Sequence, residues 1–329
     1  MVKNILITGG CGFIGSNLAK YLLQHTDYNI IIIDKLSYST KGFERVNDIS
    51  GNKRVKILTW DLTIPITDGI KNILGDINII LHLAAESHVD NSIENAPECI
   101  HNNVMSTVYL LEYARTLSNL DFFFLFSTDE TYGNLEPDGI LYTEESRHNP
   151  RNPYSASKSA SEMIGLSYAN TYKIPYMSVN CMNVYGNTQH VEKFIPKVMK
   201  YLLDNKTVSI HCYPDGVKAG SRFYIHVDDV ARAVLFIMKN GTIGETYNIA
   251  GQIELDNLEL AQMIAKIMGK ELKYEMLIND TESRPGHDTR YGICGDRLFN
   301  LGFNFENDFE ETFEKVIKWT LANPKWLEE

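Results

Sequence analysis

The first half of the chain alternates short apolar runs with longer amphipathic segments. Apolar runs lie at positions 2–7, 30–33, 55–58, 77–82 and 122–127. Runs of this length are typical of strands that are buried on both faces of a parallel sheet. Helical periodicity over 16–25 and 97–117 separates some of these runs. The alternation of strand and helix predicts an α/β fold with a doubly wound parallel sheet.

The second half carries further candidate elements. Segments 174–180 and 208–211 predict strands, and segments 227–239, 258–268 and 305–329 predict helices, the last with Trp319 and Trp326 as packing residues. At 329 residues, the chain suits one large domain or two. We expect a first domain over residues 1–180. We also expect a smaller α/β lobe over 181–329 that covers the carboxyl end of the sheet, with an interleaved boundary.

A glycine-rich turn follows the first predicted strand and opens the first predicted helix. It contains Gly9, Gly12 and Gly15. The first glycine permits the tight turn, the second lets the backbone approach a pyrophosphate, and the third lets helix and strand pack closely. The helix N-terminus then offers free N–H groups to the phosphates. An ordinary tight turn is the alternative, but the context on both sides favours a dinucleotide-binding Rossmann domain.

Two further segments support a dinucleotide site. Asp34 ends the second strand, where an acid accepts hydrogen bonds from a ribose 2′-hydroxyl and repels a 2′-phosphate. It therefore favours NAD over NADP, although an ordinary strand-terminal acid is the alternative. Asp61 and Leu62 follow the third strand as candidate adenine contacts. The small residues between Leu83 and Ser87 follow the fourth strand and would let the backbone approach a cofactor.

The apolar run at 122–127 ends in the polar residues Ser127, Thr128, Asp129 and Glu130. Ligands of open α/β sheets bind beyond the carboxyl ends of the strands, so these side chains stand where chemistry is expected. Two adjacent acids can serve as general acid and general base if their surroundings separate their pKa values. Alternatively, Ser127 and Glu130 form a capping box that starts a helix.

A tyrosine and a lysine are spaced to share one face of the next predicted helix. Tyr154 and Lys158 are four residues apart, one helical turn. A free phenol has a pKa of about 10 and is a poor base at neutral pH. A nearby ammonium, joined by a positive nicotinamide ring, is expected to lower the pKa of Tyr154 so that it can take a proton from a substrate hydroxyl. A surface pair is the alternative.

Four segments together carry a resemblance to a known family: TGGCGFIG, LAAESHVD, STDETYG and YSASK. The chain resembles the extended short-chain dehydrogenase/reductase family of nucleotide-sugar enzymes, and within it the dTDP-glucose 4,6-dehydratase group. Asp129 and Glu130 discriminate, because epimerases of this family typically carry small or hydroxyl residues at these two places. The RPGHD segment at 284–288, followed by Tyr291, also resembles the dehydratases. The matches span residues 5 to 291.

The resemblance implies an NAD-dependent nucleotide-sugar 4,6-dehydratase, a lyase that forms a 4-keto-6-deoxy sugar with a resident NAD. Tyr154, helped by Thr128, would take the C4 hydroxyl proton, and Glu130 would remove the C5 proton. Asp129 would protonate the departing C6 hydroxyl. The substrate stays open among dTDP-glucose, UDP-glucose and UDP-N-acetylglucosamine. A nucleotide-sugar 4-epimerase and, more remotely, a non-catalytic NAD-binding protein are the alternatives.

The resemblance also assigns site residues. The implied catalytic residues are Thr128, Asp129, Glu130, Tyr154 and Lys158. The implied cofactor contacts are Gly9, Gly12, Phe13, Ile14, Gly15, Asp34, Lys35, Ser37, Asp61, Leu62, Leu83, Ala84, Ala85, Ser87, Asn102, Tyr154 and Lys158. The implied substrate contacts are His88, Thr128, Asn183, Lys193, Phe194, Val208, Ile210, Arg222, Arg284, His287 and Tyr291. The chain departs from the family at NVYGN (183–187) and by two extra residues before Arg222.

Charge and cysteine content narrow the expected partners. The net charge of −11 argues against nucleic acid or an anionic membrane as the main partner. The five cysteines have no metal-ligand or redox spacing, so we expect reduced thiols and no metal site. The sequence predicts no leader and no membrane span, hence a cytoplasmic protein. By resemblance, we expect a homodimer formed through the helices near 97–117 and 153–171.

Overall fold

A parallel sheet of seven strands organises the computed structural model, which describes residues 2–278 and 288–328. Its strands are β1 (Asn4–Thr8), β2 (Asn29–Asp34), β3 (Val55–Thr59), β4 (Ile79–His82), β5 (Phe122–Thr128), β6 (Tyr176–Cys181) and β10 (Thr246–Ile249). Their order is β3-β2-β1-β4-β5-β6-β10, and every neighbouring pair is parallel. The order reverses between β1 and β4, which is where doubly wound sheets open a binding crevice. The predicted fold class is confirmed.

Helices cover both faces of this sheet. Those of the first half are α1 (Phe13–His25), α2 (Asp68–Leu74), α3 (Val89–Glu94), α4 (Ala96–Ala114) and α5 (Pro153–Tyr172). Because side chains alternate along a strand, Ile30 and Ile32 of β2 pack in the core that includes α1, whereas Ile31 and Ile33 pack in the core that includes α4. This two-sided burial explains why the strands read as continuous apolar runs.

A second, smaller lobe follows β6. It contains the strands β7 (Asn183–Tyr185), β8 (Val208–Cys212), β9 (Ser221–His226), β11 (Ile253–Asp256) and β12 (Tyr274–Ile278), in two small sheets of order β11-β9-β7 and β12-β8. Its helices are α6 (Phe194–Leu203), α8 (Asn257–Met268) and α10 (Phe309–Ala322), whereas the short α9 (Asp296–Asn300) packs against β10 of the large sheet. Apolar residues of α6, α8 and α10 form its core together with those of β8. This core is separate from the two that flank the large sheet.

The two halves of the chain are interleaved. The helix α7 (Val227–Asn240) packs against α1, and β10 pairs with β6 at the edge of the large sheet, although both follow the first strands of the second lobe. A division of the molecule by its cores is therefore discontinuous in sequence.

The segment before Arg222, in which the sequence comparison with the family pattern predicts two extra residues, contains the connection between β8 and β9. This segment turns back sharply: the Tyr213 amide donates to the Lys218 carbonyl, and Asp215 accepts from the amides of Val217 and Lys218. Val217 at the tip is 78% exposed. The connection is thus a surface turn, and the strands on either side of it are paired.

Candidate active site

One cleft of about 360 Å³ lies at the carboxyl ends of β1, β2, β4 and β5. Its lining includes every residue that the sequence predicts as a cofactor contact and all five predicted catalytic residues. Three predicted substrate contacts, Asn183, Lys193 and Phe194, line it from the second lobe. The strand order therefore brings together segments that are far apart in the sequence.

The backbone of the glycine-rich turn leaves no room for side chains at Gly9 and Gly15. Gly9 has a φ of +69°, a conformation that residues with a side chain rarely adopt. A Cβ atom on Gly15 would lie 2.3 Å from the Gly9 carbonyl oxygen, so the helix can approach the strand only without it. Among the described residues, no side chain caps the first turn of α1, and Phe13 and Ile14 of that turn line the cleft.

Asp34 is held in a fixed orientation at the end of β2. Its carboxylate accepts hydrogen bonds from the amides of Cys11, at 2.9 Å, and Leu36, at 2.8 Å. Burial raises the pKa of Asp34, and these amide bonds oppose the rise. The next residue, Lys35, pairs with Glu86 across the cleft rim at 2.7 Å. The acid is thus a fixed acceptor in the place where the sequence predicts a ribose.

Buried polar side chains fix the loop after β4. The Thr8 hydroxyl accepts hydrogen bonds from the amides of Leu83 and Ala84, at 3.2 and 3.1 Å. The Asn103 side chain accepts from the Glu86 amide at 2.7 Å and donates to its carbonyl. The loop backbone is therefore held against the cleft by side chains from β1 and α4.

The two adjacent acids at the end of β5 have different surroundings. Asp129 is 5% exposed and accepts a hydrogen bond from the Thr128 hydroxyl at 3.1 Å. Burial, with a contribution from the Glu130 charge, raises the pKa of Asp129 to about 7. Glu130 accepts from the Asn152 amide at 3.3 Å and from the Tyr291 hydroxyl at 3.2 Å. This difference suits Asp129 to donate a proton and Glu130 to accept one.

The capping-box alternative is wrong for Ser127. The segment Asp129–Tyr132 is a short 3₁₀ turn whose N-cap is Thr128, and the Thr128 side chain accepts from the Glu130 amide. The Ser127 hydroxyl instead donates to Glu162 of α5 at 2.5 Å. A serine at this position points back into the protein because side chains alternate along β5.

Tyr154 and Lys158 lie one turn apart on α5, and both are buried and line the cleft. The Lys158 ammonium donates to the Phe126 carbonyl at 2.7 Å, and burial lowers the pKa of Lys158 to about 8. Burial raises the pKa of Tyr154, and the charges of Glu130 and Asp129 raise it further. In the protein alone, burial therefore outweighs the hydrogen bond with Thr128, which lowers the phenol pKa. The sequence-based expectation also includes the positive nicotinamide ring of a bound cofactor, so it stays a prediction.

Contacts between the lobes cross the rim of the cleft. The Lys193 ammonium donates to the Ser87 carbonyl at 2.9 Å, and the Tyr38 hydroxyl donates to the Glu192 carboxylate at 3.1 Å. These bonds join the loops after β2 and β4 to the segment before α6. Lys193 is thus partly committed to the protein itself.

Two predicted substrate contacts are core residues instead. Val208 and Ile210 are 4% and 0% exposed and pack in the core of the second lobe, outside the cleft. Both side chains leave β8 on the same face because they are two residues apart. That face is covered by helices, so we correct the expectation that these side chains touch a nucleotide.

Other predicted substrate contacts also lie outside the cleft lining. The Arg222 guanidinium donates to the carbonyls of Ser221, Asp288 and Thr289 and stacks over the Tyr291 ring at 4.1 Å, so it binds backbone where a phosphate was expected. Tyr291 contacts Glu130 as described above. His88 caps α3 by accepting from the Asn91 amide at 3.2 Å. Arg284 and His287 lie outside the described residues.

Some cleft residues escape sequence reasoning. Arg45 is 1% exposed and donates to the carbonyls of Ser39, Thr40 and Thr188, which ties the loop after β2 to the second lobe. Cys181 lines the cleft at the end of β6. A lone arginine in a polar loop and a strand-terminal cysteine give no signal in the sequence, because only the folded chain places them beside the cleft.

The fold and the site together define a class. A Rossmann sheet, a glycine turn with an acid after β2, a Tyr–Lys pair on one helix and polar residues at the end of β5 are the features of an extended short-chain dehydrogenase/reductase. Within residues 2–278 and 288–328, no group of His, Cys, Asp or Glu is arranged to hold a metal ion. Nor, in that described part, does any helix have the length and apolar character needed to cross a membrane.

Comparisons with known proteins agree with this class. The family model for GDP-mannose 4,6 dehydratase matches residues 6–316. The chain is 36% identical to a dTDP-glucose 4,6-dehydratase of Escherichia coli, over 98% of this chain and 94% of that protein. A solved dTDP-glucose 4,6-dehydratase from Streptomyces venezuelae with NAD bound superposes with a TM-score of 0.89 at 31% identity, covering 99% of both chains.

A solved UDP-glucuronic acid 4-epimerase from Bacillus cereus, also with NAD, superposes with a TM-score of 0.87 at 26% identity, over 97% of this chain and 99% of that one. The fold alone thus does not separate dehydratase from epimerase. The family model matches most of the chain, and the sequence identity to the dehydratases is higher than that to this epimerase. This chain belongs to the GDP-mannose 4,6 dehydratase family.

Proposed function

We propose that this chain is an NAD-dependent nucleotide-sugar 4,6-dehydratase that converts an NDP-hexose into the 4-keto-6-deoxy sugar. The observation that carries the proposal is the pair Asp129 and Glu130, which line the same cleft as Tyr154 and differ in their surroundings. An enzyme that only inverts C4 has no water to eliminate and no use for such a pair.

The residues of the first lobe fit a dinucleotide. The open first turn of α1 supports binding of the phosphates, and the fixed Asp34 carboxylate matches two ribose hydroxyls. Leu83, Ala84 and Ala85 would hold the nicotinamide end, since they line the cleft between the glycine turn and the acids. When bound, NAD⁺ would supply the redox chemistry, accepting hydride from C4 of the sugar and returning it at C6.

Each ionisable side chain then has a proton to move. Tyr154 would take the proton of the C4 hydroxyl, since the hydrogen bond with Thr128 lowers its pKa and the positive nicotinamide ring of bound NAD⁺, together with the Lys158 ammonium, would favour its phenolate further. Glu130 would remove the proton on C5, which the C4 ketone makes acidic, and would return a proton to C5 when hydride is delivered to C6. Asp129, protonated near neutral pH because its pKa is raised to about 7, would donate to the C6 hydroxyl as it leaves as water.

The direct test is to incubate the protein with dTDP-glucose, UDP-glucose and UDP-N-acetylglucosamine and to follow each by mass spectrometry. We expect one of them to lose a water. dTDP-glucose is our first choice, because named relatives with whole-chain similarity act on it. If all three stay unchanged at a protein concentration that binds them, the proposal fails.

A matched pair of variants separates dehydratase from epimerase. Glu130→Gln keeps the size and the hydrogen-bonding atoms but cannot accept the C5 proton, so water loss should fall by 10²–10⁴-fold. Oxidation at C4 should persist and appear as absorbance of reduced nicotinamide. Glu136→Gln, on the surface loop after β5, is the control and should behave as the wild type. Native elimination by Glu130→Gln would remove its assigned role and favour the epimerase.

For the assembly, we propose a homodimer formed through α4 and α5. These helices pack along each other on one face of the sheet and carry the exposed apolar residues Ile100, Met163 and Tyr172. Exposed side chains of this kind support a partner surface. Light scattering should give twice the chain mass, and Met163→Asp should halve the measured mass.

We also propose that the enzyme is cytoplasmic and that the functional division between the two domains lies near residue 180.

A further inference from the structure

A third ionisable side chain lies on the helical face that carries the Tyr–Lys pair. Glu162 follows Lys158 by four residues on α5, so the two side chains are one turn apart. Glu162 is 3% exposed and lies behind the cleft, not in its lining. Burying a carboxylate costs free energy unless the group is paired and hydrogen-bonded, so the partners of Glu162 show what its burial achieves.

Glu162 and Lys158 both bind the end of β5. The Lys158 ammonium donates to the Phe126 carbonyl at 2.7 Å, and Glu162 accepts from the Ser127 hydroxyl at 2.5 Å. Phe126 and Ser127 directly precede the segment from Thr128 to Glu130. A shift of α5 along the strand would therefore break two charge-assisted hydrogen bonds, which are stronger than neutral ones.

Few of the ionisable groups around Lys158 and Glu162 carry a charge at neutral pH. Lys158 is faced by Glu162 and Tyr154 on α5, by Cys99 on α4 and by His82 on β4. Burial lowers the pKa of His82 to about 3 and raises that of Cys99, so neither carries charge at neutral pH. Of the neighbours named for Lys158, Glu162 alone is a carboxylate.

Glu162 is faced in turn by His148, whose Nε2 lies 3.7 Å from the carboxylate, and by the phenols of Tyr132 and Tyr176. Burial raises the pKa of Glu162 to about 7, against the Ser127 hydroxyl and the Lys158 ammonium. Burial also lowers the pKa of His148, so the imidazole offers little positive charge. The two groups on α5 are thus each other's main counter-charge.

We propose, on the basis of the function proposed above, that Glu162 is a positioning residue. It holds the helix bearing Tyr154 in register with the strand end bearing the acids, and it supplies the counter-charge that keeps Lys158 protonated. Glu162 thereby acts on the reaction through Ser127 and Lys158, without touching the substrate.

Two substitutions divide the two roles. Glu162→Gln keeps an oxygen that accepts from Ser127 but removes the charge, whereas Ser127→Ala removes the hydrogen bond but keeps the charge. Glu162→Asp keeps the charge on a shorter side chain and serves as the rescue variant if Glu162→Gln folds poorly. Glu310→Gln on the exposed face of α10 is the control.

The first readout does not depend on activity. The Lys158 ammonium is titrated by NMR in protein labelled with ¹³C at lysine Cε, and its signal is assigned by its loss in Lys158→Gln. We expect its titration midpoint to fall by one pH unit or more in Glu162→Gln, and to stay at the wild-type value in Ser127→Ala and Glu310→Gln. An unchanged midpoint in Glu162→Gln, or an equal fall in Ser127→Ala, would overturn the counter-charge role.

The second readout is the pH profile of turnover on the sugar nucleotide that loses water. In Glu162→Gln, the alkaline limb of kcat/KM should move to lower pH by about the NMR shift. In Ser127→Ala, kcat should fall roughly 3–10-fold with KM and the profile unchanged. Wild-type kcat in Ser127→Ala would overturn the positioning role. If no sugar nucleotide reacts but the NMR shift is observed, the proposed function has failed and the counter-charge role has not.

Discussion

The two sides of the cleft are built on different principles. The dinucleotide side consists of backbone turns at the ends of β1, β2 and β4, held by glycines and by buried polar side chains. The substrate side consists of side chains that come from short strands and loops of the second lobe. On the first side, a residue that directly follows a strand of the parallel sheet lies at the cleft, so its place can be inferred from the sequence. On the second, packing decides whether a side chain such as Ile210 or Arg222 reaches the cleft.

The largest effect should come from breaking the backbone side. Gly15→Val places a branched side chain where even a Cβ atom would lie 2.3 Å from the Gly9 carbonyl. We expect α1 to be displaced, with NAD affinity lowered more than 100-fold and the unfolding midpoint lowered by several degrees. Calorimetry with NAD and thermal unfolding are the measurements. Gly51→Ala, where a Cβ atom meets nothing within 4 Å, is the control.

The second-largest effect is expected from Asp129→Asn, at the end of β5 where the two sides of the cleft meet. Elimination should fall by 10²–10⁴-fold, because the amide cannot protonate a leaving hydroxyl. The folded pKa of Asp129 is raised, so its stabilising contribution is complete below the unfolded pKa near 3.8 and is lost as pH rises through about 7. The variant should therefore be more stable than the wild type at pH 8, by at most about 4 kcal/mol, and equally stable near pH 4.

Urea unfolding of Asp129→Asn at the two pH values measures this difference directly. Glu136→Gln, on the surface loop after β5, is the control and should match the wild type at both pH values. A variant that is no more stable at pH 8 than at pH 4, relative to the wild type, would contradict the buried-acid environment.

A smaller effect is expected at Arg222 on the substrate side. Arg222→Met removes the guanidinium that donates to the carbonyls of Ser221, Asp288 and Thr289, of which Thr289 keeps the Ser221 amide as a donor. This loss should cost about 1–3 kcal/mol of unfolding free energy. Denaturant titration measures the loss of unfolding free energy, and KM shows whether Arg222 contributes to substrate binding. A structural arginine predicts a KM within threefold of the wild type. A KM raised 30-fold or more at unchanged stability would restore the phosphate clamp predicted from the sequence.

The smallest effect should come from a substitution in the exposed β8–β9 turn. Val217 is 78% exposed, so Val217→Ser should change the unfolding free energy by less than about 0.5 kcal/mol and leave substrate preference unchanged. Competition between dTDP-glucose and UDP-glucose is the measurement. An altered preference would mean that this turn reaches the bound nucleotide, against its placement on the surface.

The strands β1 to β6 and the helices α1, α4 and α5 could be predicted from the sequence, because each of these signals is local. The short helices α2 and α3 have too few turns to show a helical period in the sequence. A run such as Ile30–Ile33 marks a strand buried on both faces, and its terminal acid then falls at the sheet edge. Within the second lobe, the sequence predicts the strand of Val208 and Ile210 correctly, but the structure places both side chains in the core and not at a nucleotide. The helices that cover one face of β8 come from distant parts of the chain, and nothing near these residues indicates which face that is.

The missed features share the same cause. Ser127 reads as a capping residue until α5 brings Glu162 behind it, and the phenol pKa of Tyr154 depends on how deeply that helix is buried. Arg45 acquires its partners only when Thr188 approaches from the other lobe. Motif spacing predicts which residues gather at the cleft, whereas their protonation follows from desolvation, which has no sequence pattern.

The position of β10 at the edge of the large sheet also bears on synthesis. A nascent chain that has emerged only through β6 lacks both β10, which pairs with β6, and α7, which packs against α1. The backbone of β6 and the apolar face of α1 are then uncovered, and unpaired strand edges recruit other chains. Much of the second lobe must therefore be synthesised before these surfaces are covered, and we expect chaperones to bind the chain during that interval.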